Sequence, residues 1–220
     1  MDMRVSISEI IRIASIFSVS IPLIFYVANL KNSSRAIHAT GALIIISGIA
    51  DIIGSVLFDQ HRSNALIYNI QDTLQFTLLS WIFLELISLR KLRIILYSGI
   101  VVYIVSLITV TLFFQSFIEN QTIMWAASGI IILIFSIIFF FYLLSGLPTP
   151  NILTFPYSWI NAGIFFYFSF SLYLFVISDY LFLKVEREAA LLIWSFHNIN
   201  NIIKNILFAV GISLMERRKG

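Results

Sequence analysis

Apolar residues gather in seven blocks, each near or above the roughly 18 residues a helix needs to cross a bilayer, with polar breaks between them. The blocks run approximately over 7–30, 36–58, 65–88, 92–114, 122–144, 157–182 and 189–214. The pattern predicts an all-α integral membrane protein, a seven-transmembrane-helix bundle forming a single domain over residues 1–220. Most breaks are short: Lys31 to Arg35, Asp59 to Asn64, Ser88 to Lys91 and Gln115 to Gln121. The longest, Ser145 to Pro156, holds three prolines and Gly146 and predicts a stiff connector outside the hydrocarbon. Pro22 predicts a kink in the first span, which membranes tolerate because neighbours re-satisfy the backbone. The fifth span, around Ile130 to Tyr142, is apolar nearly all round and predicts a lipid-facing wall.

The last block breaks the apolar rule. On a helix of about 100° per residue, Trp194, His197, Asn198, Asn201, Lys204 and Asn205 fall on one arc, with Asn200 at its edge. Phe196, Ile199, Ile202 and Ile203 fill the opposite arc. One charge at the bilayer centre costs roughly 2.5–3.5 kcal/mol on insertion scales. The polar arc is therefore expected to face other helices or a water-filled cavity.

Composition narrows the class. Charged residues make up 11% of the chain and hydrophobic ones 60%; a soluble domain would carry about twice that charge. The mean hydropathy is +0.97. The first apolar run begins near Ile7, lacks a small-residue cleavage site, and reads as a retained span rather than a signal peptide. There is no cysteine, which excludes disulfides, thiol nucleophiles and Cys-ligated metals. The formal net charge of +3 gives no reason to expect a nucleic-acid partner; the expected surroundings are a lipid bilayer. No metal or other cofactor is expected. Lys31, Arg35, Arg90, Lys91, Arg93, Arg217, Arg218 and Lys219 outnumber Arg4, Arg12, Arg62, Lys184 and Arg187 on the other side. The positive-inside rule then places the N-terminus outside and the C-terminus in the cytoplasm, as in a bacterial inner-membrane protein.

Span three carries a second polar face. Laid without gaps on His197 to Lys204, Tyr68 to Gln75 matches Asn69 with Asn198, Gln71 with Asn200, Asp72 with Asn201 and Gln75 with Lys204. Two copies of three spans joined by a fourth would give a 3+1+3 parallel repeat, a plan that puts substrate sites at the repeat interface. Spans three and seven start on the same side, and span two returns to it with Ser47, Asp51 and Ser55 as its polar stripe. Asp51, Asn69, Asp72, Gln75, Trp194, His197, Asn198, Asn201 and Lys204 are thus the expected ligand-binding set, meeting in the outer half of the bilayer. Asp72 and Lys204 are expected to pair with each other or to bind a polar or zwitterionic ligand. His38 and His61, near loops, are expected to be solvated, and Glu85 and Asp179 to be interfacial. No catalytic residue is assigned.

The stretch from Trp194 to Gly211 resembles the last span of the heptahelical input modules that precede bacterial sensor histidine kinases. That resemblance implies ligand or membrane-state sensing. With only Met215 to Gly220 after the seventh block, the expectation is a non-enzymatic, receptor-like sensor that takes a small polar ligand and passes its output to a separate cytoplasmic or membrane partner. The length, seven spans and 3+1+3 plan also resemble SWEET-type sugar transporters, which implies a small-solute transporter; that family's Pro-Gln pair is absent. An intramembrane hydrolase is a third reading: two Asp could work as an acid/base pair, but the zinc hydrolases of the ceramidase and adiponectin-receptor kind need several deep His, and only His197 lies deep here. Lys204 stands in a seventh span, as the retinal lysine does in rhodopsins. The acid one turn before it is replaced by Asn200, however, and span six has no internal proline.

Overall fold

A computed structural model describes residues 3–146 and 151–215. The first rod is interrupted: α1 (Met3–Ser18) gives way to α2 (Ser20–Ala28) through a single turn residue, Val19. Pro22 accounts for the break. It has no N–H for the carbonyl four residues earlier and its ring collides with that carbonyl, so the helix is broken for one residue, while Val19 keeps helical backbone angles and the rod continues. After a short 3₁₀ turn at Leu30–Asn32, the Ser34 hydroxyl accepts from the Ile37 N–H and caps α3 (Arg35–Asp59). Then follow α4 (Ala65–Leu86), α5 (Arg90–Phe113), α6 (Thr122–Gly146), α7 (Pro156–Lys184) and α8 (Arg187–Ser213). α3 to α8 each lie within two residues of the predicted block, while the first rod starts four residues before its own. Leu147 to Pro150 of the proline-rich connector, and the basic tail Glu216 to Gly220, lie outside the described residues. Pro156 opens α7 in its first turn, where a missing N–H costs nothing.

Five helical stretches are long and apolar enough to cross a bilayer: Ile7–Ala28, Arg35–Asp59, Arg90–Phe113, Thr122–Ser145 and Pro156–Ser178. The chain is a multi-pass, all-helical membrane protein. The two remaining long helices, α4 with 22 residues and α8 with 27, are those whose polar faces dilute their hydropathy.

The helices close a ring. The α1/α2 rod contacts α3 and α8, α3 contacts α4, α4 contacts α6, α6 contacts α7, and α7 contacts α8. α5 stands outside this ring against α6 and α4. Its Val101, Val102, Val105, Ile108 and Leu112 are exposed, and only a narrow stripe including Leu96, Tyr103 and Val110 is buried. α6 refines the sequence reading. It keeps an exposed apolar stripe, Ile123, Ile130, Ile134, Ile137, Phe141 and Leu144, as a lipid-facing wall would, but its other side packs between α4, α5 and α7, with Ile132, Phe135, Phe139 and Leu143 buried. Uniform apolarity suits a protein interior as well as lipid, so the pattern alone could not separate them.

α8 presents its faces as expected. Phe196, Ile199 and Ile206 are exposed, while Asn200, Asn201, Lys204, Asn205, Phe208 and Ile212 are buried. Near its end, Gly211 lets α8 touch the start of α7: a methyl there would lie 2.7 Å from the Pro156 carbonyl oxygen and 2.8 Å from Ile160. Backbone cannot yield as a side-chain tip can. Gly211→Ala is therefore expected to cost about 1–2 kcal/mol even after its helix-propensity gain. In detergent the melting temperature should fall by several degrees; an unchanged or raised value would mean that α8 stands off α7.

Candidate functional site

α1, α3, α4, α7 and α8, with the start of α6, surround a cavity of about 640 Å³. Its rim is drawn from helix ends and turns on the N-terminal side: Ser8 and Glu9, Ser63 and Asn64, Asn120, Val185 and Ala190. Among the described residues, none of its lining comes from the opposite ends of the helices. Below it the bundle is filled, with Val19 against Gly48 and Phe208 against Gly163. Among the described residues, then, the cavity is blind.

Arg12 sits at the mouth. It pairs with Glu9 one turn away and with Asp59 at 3.1 Å, and it donates to Ser55. These contacts tie α1 to the end of α3. Sequence reading counted Arg12 on the N-terminal side and gave neither it nor Glu9 a part in the site. Deeper in, the α1–α8 seam is made of amide-to-hydroxyl bonds. Asn201 Nδ2 donates to Ser15 at 3.0 Å and to Asp51 Oδ2 at 3.4 Å; Asn205 Nδ2 donates to Ser18 at 2.8 Å. Asn200 is buried, and its side-chain nitrogen has no hydrogen-bond partner among the described residues.

Of the nine expected ligand-binding residues, seven border the cavity: Asp51, Asp72, Gln75, Trp194, His197, Asn198 and Asn201. Asn69 does not. Its Nδ2 donates to the carbonyls of Phe117 (2.9 Å) and Glu119 (2.6 Å), and its Oδ1 accepts from the Gln121 N–H (3.3 Å) and the Trp125 indole (3.0 Å). It pins the connection between α5 and α6. Lys204 does not border the cavity either. It is buried behind the lining, with Nζ 4.4 Å from the centre of the Tyr167 ring.

The expected Asp72–Lys204 pair is not formed. Asp72 Oδ1 instead accepts from Ser128 on α6 at 2.7 Å. Lys204 lies within electrostatic reach of Asp51, without closing to an ion pair. Register along α4 and α8 put Asp72 and Lys204 at similar depth, but α4 turns Asp72 toward α6. The ion pairs among the described residues are those of Arg12.

Aromatic rings supply what the sequence did not single out. Tyr167 and Phe175 reach the cavity from α7, Trp125 from the start of α6, and Tyr68 from α4. Gly54 on α3 makes room for Tyr68: a methyl there would lie 2.5 Å from its hydroxyl. His197 is walled by the rings of Trp194 (5.2 Å), Tyr167 (5.3 Å) and Phe175 (5.6 Å). Both of its nitrogens have partners, Nε2 with the Tyr167 hydroxyl at 3.4 Å and Nδ1 with Ser171 at 3.2 Å. Tyr167 lies in a run of Phe, Tyr and Ser with no polar periodicity, so only its position in space marks it. Away from the site, His61 is exposed, and His38, also exposed, bonds the Tyr26 hydroxyl at 3.1 Å. Glu85 is exposed near the end of α4, and the Asp179 side chain lies outside those described.

Among the described residues no group of three or more His, Asp or Glu side chains is placed to hold a metal ion. What the arrangement offers is a dead-end, aromatic-walled chamber with acidic and amide groups at its surface. No protein family, curated protein or solved structure matches the chain.

Proposed function

We propose that this chain is a seven-crossing, receptor-like sensor whose cavity opens outside the cell, takes a small polar ligand, and reports its presence to a separate partner. The observation that carries the proposal is the blind cavity: a chamber reached from one face suits recognition, whereas release on the far side needs a route. At 1.5 Å per residue, α4 and α8 would span about 33 and 40 Å, enough to cross a hydrocarbon core of about 30 Å. All seven rods then cross, and the count of Lys and Arg puts the cavity mouth outside. The resemblance of α8 to the last span of heptahelical input modules supports the same reading. Output would pass through the cytoplasmic face, where α5 begins with the basic Arg90-Lys91-Leu92-Arg93.

One observation favours a second reading, a small-solute transporter. The ring consists of two consecutive three-helix sets, α1/α2–α3–α4 and α6–α7–α8, with α5 outside. A 3+1+3 parallel repeat would produce that arrangement, and rocking of one half on the other would open the far side.

One preparation tests topology and separates the two readings. The chain has no cysteine, so single substitutions can be labelled cleanly. Ser63→Cys is expected to react with an impermeant maleimide added outside cells, and Leu89→Cys only after the membrane is opened. Reconstituted alone into proteoliposomes, the protein is expected to give no saturable uptake across panels of amines, sugars and amino acids. Saturable uptake would replace the sensor with the transporter.

A further inference from the structure

The charged side chains on the cavity surface are three carboxylates, Glu9, Asp51 and Asp72, against one guanidinium, Arg12. Arg12 is committed to Glu9, Asp59 and Ser55 at the mouth. Asp51 is served by the Asn201 amide and opposed by the charge of Lys204. Asp72 is different. Its one hydrogen bond among the described residues comes from the neutral Ser128 hydroxyl, and it makes no ion pair. A carboxylate with no counter-charge at such depth is costly; a proton relieves that cost, and so would a cation entering the cavity.

The surroundings of Asp72 are built for one. Trp125 lies one turn before Ser128 on the same helix, its indole fixed by Asn69 and its ring edge-on to Phe175 at 6.4 Å. Aromatic faces attract ammonium groups through their quadrupoles, and enclosed sites strengthen that attraction. The protein already uses this device nearby, where the Lys204 ammonium lies over Tyr167. Anions find no uncommitted cation on this surface among the described residues. The acidic excess at the lining would draw cations inward.

We propose that the cavity recognises a small organic cation, whose ammonium group lies between the Asp72 carboxylate and the aromatic rings of Trp125 and Phe175. This rests on the reading of the cavity as a ligand site, and it replaces a zwitterion as the expected ligand because Lys204 lies behind the wall. Free amines and the ammonium headgroups of lipids share this chemistry.

The test uses the full chain in nanodiscs of phosphatidylglycerol, which carries no ammonium. Tetramethylammonium, choline and benzyltrimethylammonium are titrated by calorimetry and tryptophan quenching, beside 3,3-dimethylbutanol, the uncharged isostere of choline, and beside phenylacetate and glycine. At least one ammonium probe is expected to bind at millimolar concentration or below, with the isostere and the anion at least roughly tenfold weaker. Asp72→Asn keeps an acceptor for Ser128 and should fold; it is expected to weaken the ammonium probe roughly tenfold or more. Phe175→Leu should weaken it roughly threefold. Equal binding of choline and its isostere, or an unchanged affinity in Asp72→Asn, overturns the cation while leaving the ligand cavity standing. Binding of glycine or phenylacetate but of no ammonium probe does the same. Failure of all six probes overturns both. Loss of soluble-probe binding in phosphatidylethanolamine nanodiscs would assign the ammonium to a lipid headgroup, and retention to a free amine.

Discussion

Lys204→Met is expected to be among the most damaging single changes in the bundle, lowering stability by about 2–3 kcal/mol. Removing one member of a buried charge pair leaves the other without compensation, at about 3–5 kcal/mol when the two are in contact and dry. Here Asp51 borders the cavity, and the charges interact without touching, so the lower figure applies. The ammonium also gives up its place over Tyr167, worth roughly 0.5–2 kcal/mol. For a chain of this size, the change corresponds to a melting temperature lower by roughly 5–10 °C. The double variant Lys204→Met/Asp51→Asn removes both charges while leaving a side-chain amide that can still bond Asn201. It should recover part of the loss, with a coupling of about 1–2 kcal/mol. Thermal unfolding of the four proteins in one detergent measures the cycle. Strictly additive losses would mean that Asp51 and Lys204 do not sense each other, and that the cavity surface carries a further unbalanced acid.

Asn69→Leu is expected to cost about 2–4 kcal/mol, for a different reason. Four hydrogen bonds converge on one amide, and each is worth roughly 0.6–1 kcal/mol in such surroundings. Truncation frees the Phe117 and Glu119 carbonyls, the Gln121 N–H and the Trp125 indole together. The damage should be local. Hydrogen exchange is expected to rise across 114–121 while the α7–α8 seam stays protected, because that seam shares no bond with Asn69. The fixed ring of Trp125 is one wall of the cavity, so ammonium binding should fall as well, without any change in charge. Unchanged exchange in the loop would show that other contacts hold it, among them the bonds of Gln121 to Thr111 and the Gln115 carbonyl.

The polar arc of α8 could be read because burying amides and a lysine inside an apolar block is costly enough to leave one periodic stripe. The depth of Asp51 and of Asp72 followed from the rise per residue and from the alternating direction of successive spans. Those two facts placed seven of the nine expected residues around one cavity, and on the N-terminal side. The same reasoning failed for Asn69. It sits in register with Asn198, and register does not show that the loop before α6 folds back over the start of α4.

What the chain alone determined was each helix, the break at Pro22, and which face of α8 must turn away from lipid, since these depend on local geometry and on the cost of solvating polar groups in hydrocarbon. Which helices became neighbours was decided only by the assembled bundle. Ring closure gave the uniformly apolar α6 one face against α4, α5 and α7 and left α5 outside the ring, a choice to which hydropathy is blind. It also turned Asp72 toward Ser128 and set Lys204 behind Tyr167. The rotation of packed helices, rather than position along them, decides which charges meet.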